Sequence, residues 1–151
     1  MLIVILTTFI MPIAILASFN AVHKREKEYY IMMLLLQFGM TGVFVSMDTF
    51  LFYVFWEVIL IPMYFLIGIW GGQQRIYAAV KFFLYTMIGS LLMLIAIIWL
   101  GLYAQETTGA FTTSFLKLRD IAPNIPADTQ HWMVLAFALS FCIKVPLFPL
   151  H

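Results

Sequence analysis

Cysteine and charged side chains are both scarce in this sequence. Its single cysteine, Cys142, excludes a disulfide within the chain and any cysteine-rich zinc or iron–sulfur site. Charged residues make up only 10% of the chain, against about 25% in an average soluble domain. The net charge of +1 leaves no basic face that would favour nucleic acid as a partner. So few charges could not cover a globular surface in water, which favours a lipid bilayer as the main solvent.

Long apolar segments dominate the rest of the chain. Hydrophobic residues account for 64% of the sequence, and the mean hydropathy is +1.03. A helix needs about 20 apolar residues to cross a hydrocarbon core, and backbone in lipid must satisfy its own hydrogen bonds. No segment alternates as a barrel strand would. We therefore predict an all-α, multi-pass membrane protein, a single membrane domain with five spans at residues 2–19, 30–47, 49–70, 77–103 and 132–151.

The segments between the spans are polar and differ in length. Residues 20–29 form a charged loop, whereas only Asp48 and its neighbours separate the second and third spans. The carboxylate of Asp48 is placed to cap the third helix. Residues 71–76 form a short turn, and residues 104–131 form a long polar loop with a predicted surface helix at residues 115–121.

The distribution of basic residues predicts the orientation in the membrane. Loops on the cytoplasmic side of a membrane carry an excess of lysine and arginine. The first and third loops carry four such residues and the second and fourth carry two: Lys24, Arg25, Lys27 and Arg75 against Lys117 and Arg119. This predicts that the first loop is cytoplasmic and that the N-terminus and the long fourth loop lie outside.

Three charged residues fall inside predicted spans: Glu57, Lys81 and Lys144. A charge at the centre of a membrane helix costs about 2.5–3.5 kcal/mol on insertion scales, and such residues are usually functional. Glu57 lies about 12 Å, and Lys144 about 18 Å, from the same side of the membrane. We therefore expect the two to be neighbours near the midplane. Lys81 lies only about 6 Å from the opposite side, where it could instead extend to the interface as an anchor.

A buried glutamate–lysine pair is suited to moving protons. Burial favours the neutral form of each group, and an adjacent opposite charge favours the charged form. A pair that separates and reforms in a partly wet cavity can therefore bind and release a proton. The alternative is a purely structural ion pair between Glu57 and Lys144. No metal site is predicted, because His23 and His131 have no partner at ligand spacing.

The last predicted span contains two prolines directly after Lys144, in the sequence KVPLFPLH. Each proline lacks an N–H and clashes with the carbonyl four residues earlier, so Pro146 would free the carbonyl of Cys142. With Pro149 three residues on, the pattern predicts a broken helix of the kind that lines ion sites in transporters. The alternative is an ordinary proline-containing helix end. The sequence stops at His151 without a closing loop, which favours a segment of a longer protein.

Four segments together resemble one family. They are LFYVFWEVILIPMYFLIGIWGG (residues 51–72), RIYAAVKFFLYT (residues 75–86), GSLLMLIAI (residues 89–97) and FALSFCIKVPLFPLH (residues 137–151). These resemble the antiporter-like, proton-pumping subunit M of bacterial respiratory complex I and its mitochondrial counterpart, NADH dehydrogenase subunit 4. The resemblance is weakest in residues 1–29 and 104–131.

The resemblance implies both a fold and a set of site residues. The family contains two inverted five-helix repeats, and this chain is similar to the first, cut within its discontinuous helix. The essential glutamate of the family falls on Glu57 and its central lysine on Lys144. Its intervening lysine falls on Lys81, and the histidine after the break falls on His151. Proton translocation through these four residues is what the resemblance implies.

The resemblance also implies what lies outside the chain. FMN, iron–sulfur clusters, NADH and quinone are expected in other subunits, with no cofactor in this chain. The expected partners are the lipid bilayer and other membrane-arm subunits, in a bacterial cytoplasmic membrane rather than a mitochondrial inner membrane. Two alternatives stay open: a subunit of a multi-subunit cation/proton antiporter or membrane-bound hydrogenase, and a truncated membrane segment without activity alone.

Overall fold

A computed structural model of the chain describes residues 1–147. These residues form seven α-helices and one 3-10 turn, at Ala122–Asn124, and they contain no β-strand. The helices are α1 (Leu2–Ser18), α2 (Glu26–Val45), α3 (Thr49–Val58), α4 (Leu60–Trp70), α5 (Arg75–Thr108), α6 (Phe115–Ile121) and α7 (Ala127–Lys144). The predicted all-α fold is confirmed, and α6 spans the residues at which a surface helix was predicted.

Three segments are long and apolar enough to cross a membrane: Glu26–Val45, Thr49–Trp70 and Arg75–Thr108. A fourth apolar helix, Leu2–Ser18, is shorter. Large apolar side chains on these segments are exposed, including Phe9, Phe38 and Ile95, each more than 60% accessible. Apolar surface of this extent is stable in hydrocarbon rather than water, so the chain is a multi-pass membrane protein.

The chain divides into two compact units. The first contains residues 1–46 and 52–83, and the second contains residues 47–51 and the chain from Leu84 onward. The first unit holds α1, α2, most of α3, α4 and the beginning of α5. The second unit holds the rest of α5 together with α6 and α7.

In the first unit, α2 packs against α1 on one side and α4 on another. Two glycines of α2 permit close approach. The backbone of Gly42 lies against the ring of Phe55, and a side chain at Gly39 would come within 2.7 Å of Ile59. At the end of α4, the indole N–H of Trp70 donates to the backbone oxygen of Lys24 over 2.7 Å.

The predicted third span is helical but interrupted at Ile59, between α3 and α4. The cause is Pro62, which has no N–H to donate to the carbonyl of Val58. Helical hydrogen bonds still cross the interruption, from the N–H of Ile59 to Phe55 and from the N–H of Met63 to Ile59, both long at 3.3 Å. The segment therefore remains one span with a weak point near its middle.

In the second unit, α5 and α7 run antiparallel. The hydroxyl of Tyr103 donates to the backbone oxygen of Asn124 over 2.8 Å, just before α7 begins. Further along, a side chain at Gly89 would meet Ile143 at 2.6 Å. The fully buried Met93 lies on α5 between these two contacts.

Asp48 joins the start of α3 to the long loop. Its Oδ1 accepts from the N–H groups of Phe50 (2.9 Å) and Leu51 (3.0 Å), so the predicted cap is confirmed. Its Oδ2 accepts from the hydroxyl of Thr113 over 2.6 Å, and Asp48 and Ser114 form an antiparallel bridge. Partial burial raises the pKa of the Asp48 carboxyl, but the bonds from Thr113, Leu51 and Phe50 together lower this pKa below its ordinary value.

Candidate functional site

Glu57 lies at the end of α3, on the side of the helix that faces away from α2. Phe55 and Ile59 contact α2 at Gly42 and Gly39, and each lies about 200° around the helix from Glu57. Tyr64, seven residues after Glu57, returns to the same face. The ring of Tyr64 packs edge-on against Phe83 of α5, with centroids 5.7 Å apart. Glu57 therefore lies on the α5-facing side of its span.

The carboxyl of Glu57 is only partly satisfied. Oε1 is buried and has no hydrogen-bond partner among the residues that the structure describes. A buried polar group without a partner costs about 1–3 kcal/mol, and Leu60, one turn further on, is only 2% exposed. Such a carboxyl is stabilised by taking up a proton, by water or by a cation.

The backbone next to Glu57 is also less satisfied than in an ordinary helix. Pro62 cannot donate to the carbonyl of Val58, the residue directly after Glu57. A carboxyl and a carbonyl without its usual donor therefore follow each other in the chain, within an apolar span. Neighbouring oxygens of this kind attract water or a cation into a membrane helix.

Lys81 occupies a different environment. Its side chain is exposed, and Nζ lies 5.9 Å from the centroid of the Tyr77 ring, one turn earlier on α5. Ala79 and Phe83 make the contacts with α4, and Lys81 lies about 200° around the helix from each. Lys81 therefore lies on the outer face of α5, and its role in a proton path stays a prediction.

Lys144 is the last residue of α7 and is partly buried. The helix ends here because Pro146 cannot continue its hydrogen bonding. The carbonyl of Cys142, which Pro146 deprives of its donor, accepts instead from the N–H of Leu147 over 2.9 Å. Lys144 thus lies where the regular helix gives way to an irregular turn.

Two predicted residues, Pro149 and His151, lie outside the described residues. Glu57 belongs to the first unit and Lys144 to the second, so their predicted pairing stays a prediction, as do the assignments of Lys81 and His151.

The structure adds two buried polar atoms that sequence reasoning missed. These atoms are Gln37 Oε1 and Ser140 Oγ. Like Glu57 Oε1, both are buried and have no hydrogen-bond partner within residues 1–147. Ser140 lies one helical turn before Lys144. In the sequence, Ser140 is recognisable as a serine within an apolar run, four residues before Lys144.

The described part of the chain contains no group of three or more histidine, cysteine, aspartate or glutamate residues that could hold a metal ion. The functional candidates on the apolar helices are individual ionisable side chains. Proton transfer is a chemistry that such groups can perform without a bound cofactor.

An all-helical membrane chain with ionisable residues inside interrupted helices is typical of secondary transporters and ion-translocating subunits. Residues 46–151 match the family described as the NADH:quinone oxidoreductase/Mrp antiporter transmembrane family. The match covers more than half of the chain. The chain therefore belongs to this family, and the predicted membership is confirmed.

Individual relatives show which proteins within this family the chain is similar to. The chain is 45% identical to NADH-quinone oxidoreductase subunit M of Rhodobacter capsulatus, over 99% of this chain and 30% of the relative. It is 45% identical to NADH-ubiquinone oxidoreductase chain 4 of Arabidopsis thaliana, over 98% of this chain and 28% of the relative. It is 40% identical to NADH-quinone oxidoreductase subunit M of Rickettsia felis, over 98% of this chain and 29% of the relative. The chain thus spans about 30% of the length of these relatives.

Proposed function

We propose that this chain is part of a proton-translocating membrane subunit of a NADH–quinone oxidoreductase. The observation that supports this most directly is the buried carboxyl oxygen Oε1 of Glu57, which has no hydrogen-bond partner among the described residues and belongs to an apolar span. A group that is costly to bury and free to change protonation state is suited to proton transfer. The names of the relatives supply the complex in which this transfer would be used.

In the proposed path, Lys144 holds the proton and passes it on, and Glu57 modulates this step by pairing with it. Lys144 is supported in this role by its place at the end of α7, where the regular helix stops inside a predicted span. Lys81 would lie on or near the cytoplasmic uptake path, and His151 would begin the onward relay.

The driving reaction would take place outside this chain. In the proposal, other subunits hold NADH, FMN, the iron–sulfur clusters and quinone, and other membrane-arm subunits are the partners. The proposed compartment is a bacterial cytoplasmic membrane, because this chain is similar to subunit M of Rhodobacter and Rickettsia.

A cation/proton antiporter subunit is the second candidate, because the family description covers Mrp antiporters as well. The two functions differ in what drives proton movement. NADH oxidation drives it in the first, and a sodium gradient drives it in the second. The oxidoreductase is favoured because the relatives of highest identity given above all bear its name.

The test uses membrane vesicles that contain the complete subunit in its assembled complex. We expect NADH to drive proton uptake, and Lys144→Ala to reduce that uptake at least about tenfold, because positioned proton donors typically contribute about 10²–10⁴-fold. Lys117→Ala is the matched control, since Lys117 is an exposed lysine on α6. Proton flux that follows a sodium gradient without NADH would favour the antiporter, and loss of assembly in Lys144→Ala would indicate a structural ion pair.

A further inference from the structure

Ser140 is an exception among the buried serines of this chain. Ser18 and Ser90 are also buried, but their hydroxyls donate to carbonyls of their own helices, at Ile15 (2.7 Å) and Met87 (2.9 Å). Ser140 is 2% exposed, and its Oγ has no partner among the described residues. A polar group in this position either has a bound water or carries an energetic cost.

The surroundings of Ser140 explain its burial. Ile143, three residues later, fills the space beside Gly89 of α5. Since α5 and α7 run antiparallel, Ser140 lies about one turn further along α5, at the level of Met93, which is fully buried. This part of the helix interface is closed to bulk solvent, so bulk solvent does not satisfy the hydroxyl.

Lys144 is the nearest charged residue to Ser140 along α7. Residues four apart lie on the same face of a helix, with Cβ atoms about 5–6 Å apart. Helical side chains lean toward the N-terminus of their helix, so the long side chain of Lys144 extends along the face that carries Ser140. One water can bridge the two groups when Oγ and Nζ are about 5 Å apart, since each hydrogen bond takes up about 2.8 Å. Both residues belong to one helix, so the spacing of their Cα atoms is fixed by the helix itself.

We propose that Ser140 is a positioning residue for Lys144: its hydroxyl holds a water that accepts a hydrogen bond from the Lys144 ammonium. The inference rests on the proposed function, in which Lys144 carries the proton. The water donates one hydrogen to Ser140 Oγ and uses a lone pair to accept from Nζ. Ser140 itself neither gains nor loses a proton, and it fixes the site at which the proton leaves Lys144.

The competing arrangement is a turned hydroxyl that donates to the carbonyl of Ala136, as buried serines often do within helices. Ser140 would then be satisfied without a water and would have no bearing on Lys144. The two arrangements differ in what Ser140→Ala does, because alanine fills nearly the same space and needs no partner.

The test measures proton uptake per NADH oxidised in vesicles with the complete, assembled complex, normalised to the amount of complex. We expect Ser140→Ala to reduce this ratio about fivefold, the effect of one ordinary hydrogen bond. We also expect the alkaline limb of its pH profile to move to lower pH, because charged Lys144 loses a stabilising acceptor. Ser140→Thr, which retains a hydroxyl, should keep most of the activity and the original profile.

Ser90→Ala is the matched control, because Ser90 is equally buried but its hydroxyl is satisfied within α5. An unchanged ratio and profile in Ser140→Ala would overturn the proposal, as would equal losses in Ser140→Ala and Ser140→Thr, which would indicate a packing effect. If Ser140→Ala failed to assemble, Ser140→Cys would replace it with the same expectations, since a thiol is a weak hydrogen-bonding group.

The outcomes for Ser140 and for Lys144 are separable. If Lys144→Ala loses proton uptake while Ser140→Ala keeps it, the proposed function stands and the role of Ser140 is wrong. If Lys144→Ala keeps proton uptake, the proposed function itself is wrong.

Discussion

At the scale of single residues, the important groups are buried oxygens that have no hydrogen-bond partner within residues 1–147. Glu57 Oε1 and Ser140 Oγ are two of them. Each lies beside a place where proline disturbs the helix, at Pro62 and Pro146. Burying an oxygen without a hydrogen bond is unfavourable, so each of these positions is a candidate for binding water.

Asp48 provides a prediction at the same scale, outside the membrane spans. Its carboxylate caps α3 and accepts from Thr113, and these bonds lower its pKa from 3.8. The stabilisation of the start of α3 by Asp48 is therefore fully present above pH 3.8. It is lost as the pH falls through the lowered pKa of Asp48 in the folded protein. We expect the N–H groups of Phe50 and Leu51 to exchange hydrogen faster in that acidic range, after correction for intrinsic rates.

The variant Asp48→Ala should raise exchange at these two amides about fivefold at neutral pH, because an N-cap contributes about 1 kcal/mol. It should also abolish the acid dependence. The matched control is Asp120→Ala, because Asp120 is exposed and pairs with the equally exposed Arg119 beside it. Unchanged exchange in Asp48→Ala, measured by mass spectrometry of the peptide, would contradict the capping role.

At the scale of elements, the close approach of α2 and α3 depends on a glycine. A side chain at Gly42 would overlap the ring of Phe55, and overpacking of this kind costs about 1–3 kcal/mol. We expect Gly42→Val to reduce the yield of assembled complex on native gels. Gly72→Val is the control, because nothing lies within 4 Å of a side chain at Gly72. Equal yields for the two variants would show that this contact is not required.

Helical elements and the cap at Asp48 could be predicted from sequence because both depend on local patterns. The interruption at Ile59 was missed, although Pro62 is visible in the sequence, since a proline in a long apolar run does not by itself end a membrane helix. The bond from Thr113 to Asp48 was missed because it joins residues 65 positions apart. The residues around Asp48 and those around Thr113 contain no local pattern that would predict their contact.

Ser140 shows the same limit at the candidate site. Its spacing from Lys144 is visible in the sequence, but its missing partner is a property of the packed helices. The sequence singles out Glu57 and Lys144 as candidates because a charge is costly wherever it is buried in a membrane. It does not single out a neutral hydroxyl, because the cost of burying one depends on the partners around it.

At the scale of the whole molecule, the membrane orientation predicted from basic residues can be tested directly. Single cysteines at His23 and Thr112 would be introduced after Cys142 is replaced by serine. We expect the cysteine at position 23 to react with membrane-impermeant thiol reagents only from the cytoplasmic side, and that at position 112 only from outside. The reverse pattern would show that the charge asymmetry misassigned the orientation.

The central claim is that the buried carboxyl of Glu57 takes part in proton translocation. The most direct measurement is the number of protons moved per NADH oxidised by assembled complexes with Glu57→Gln, which keeps the size of the side chain but removes its acid. We predict a ratio at least about tenfold below that of the unaltered complex, with assembly in detergent intact. An unaltered ratio in an assembled Glu57→Gln complex would contradict the claim.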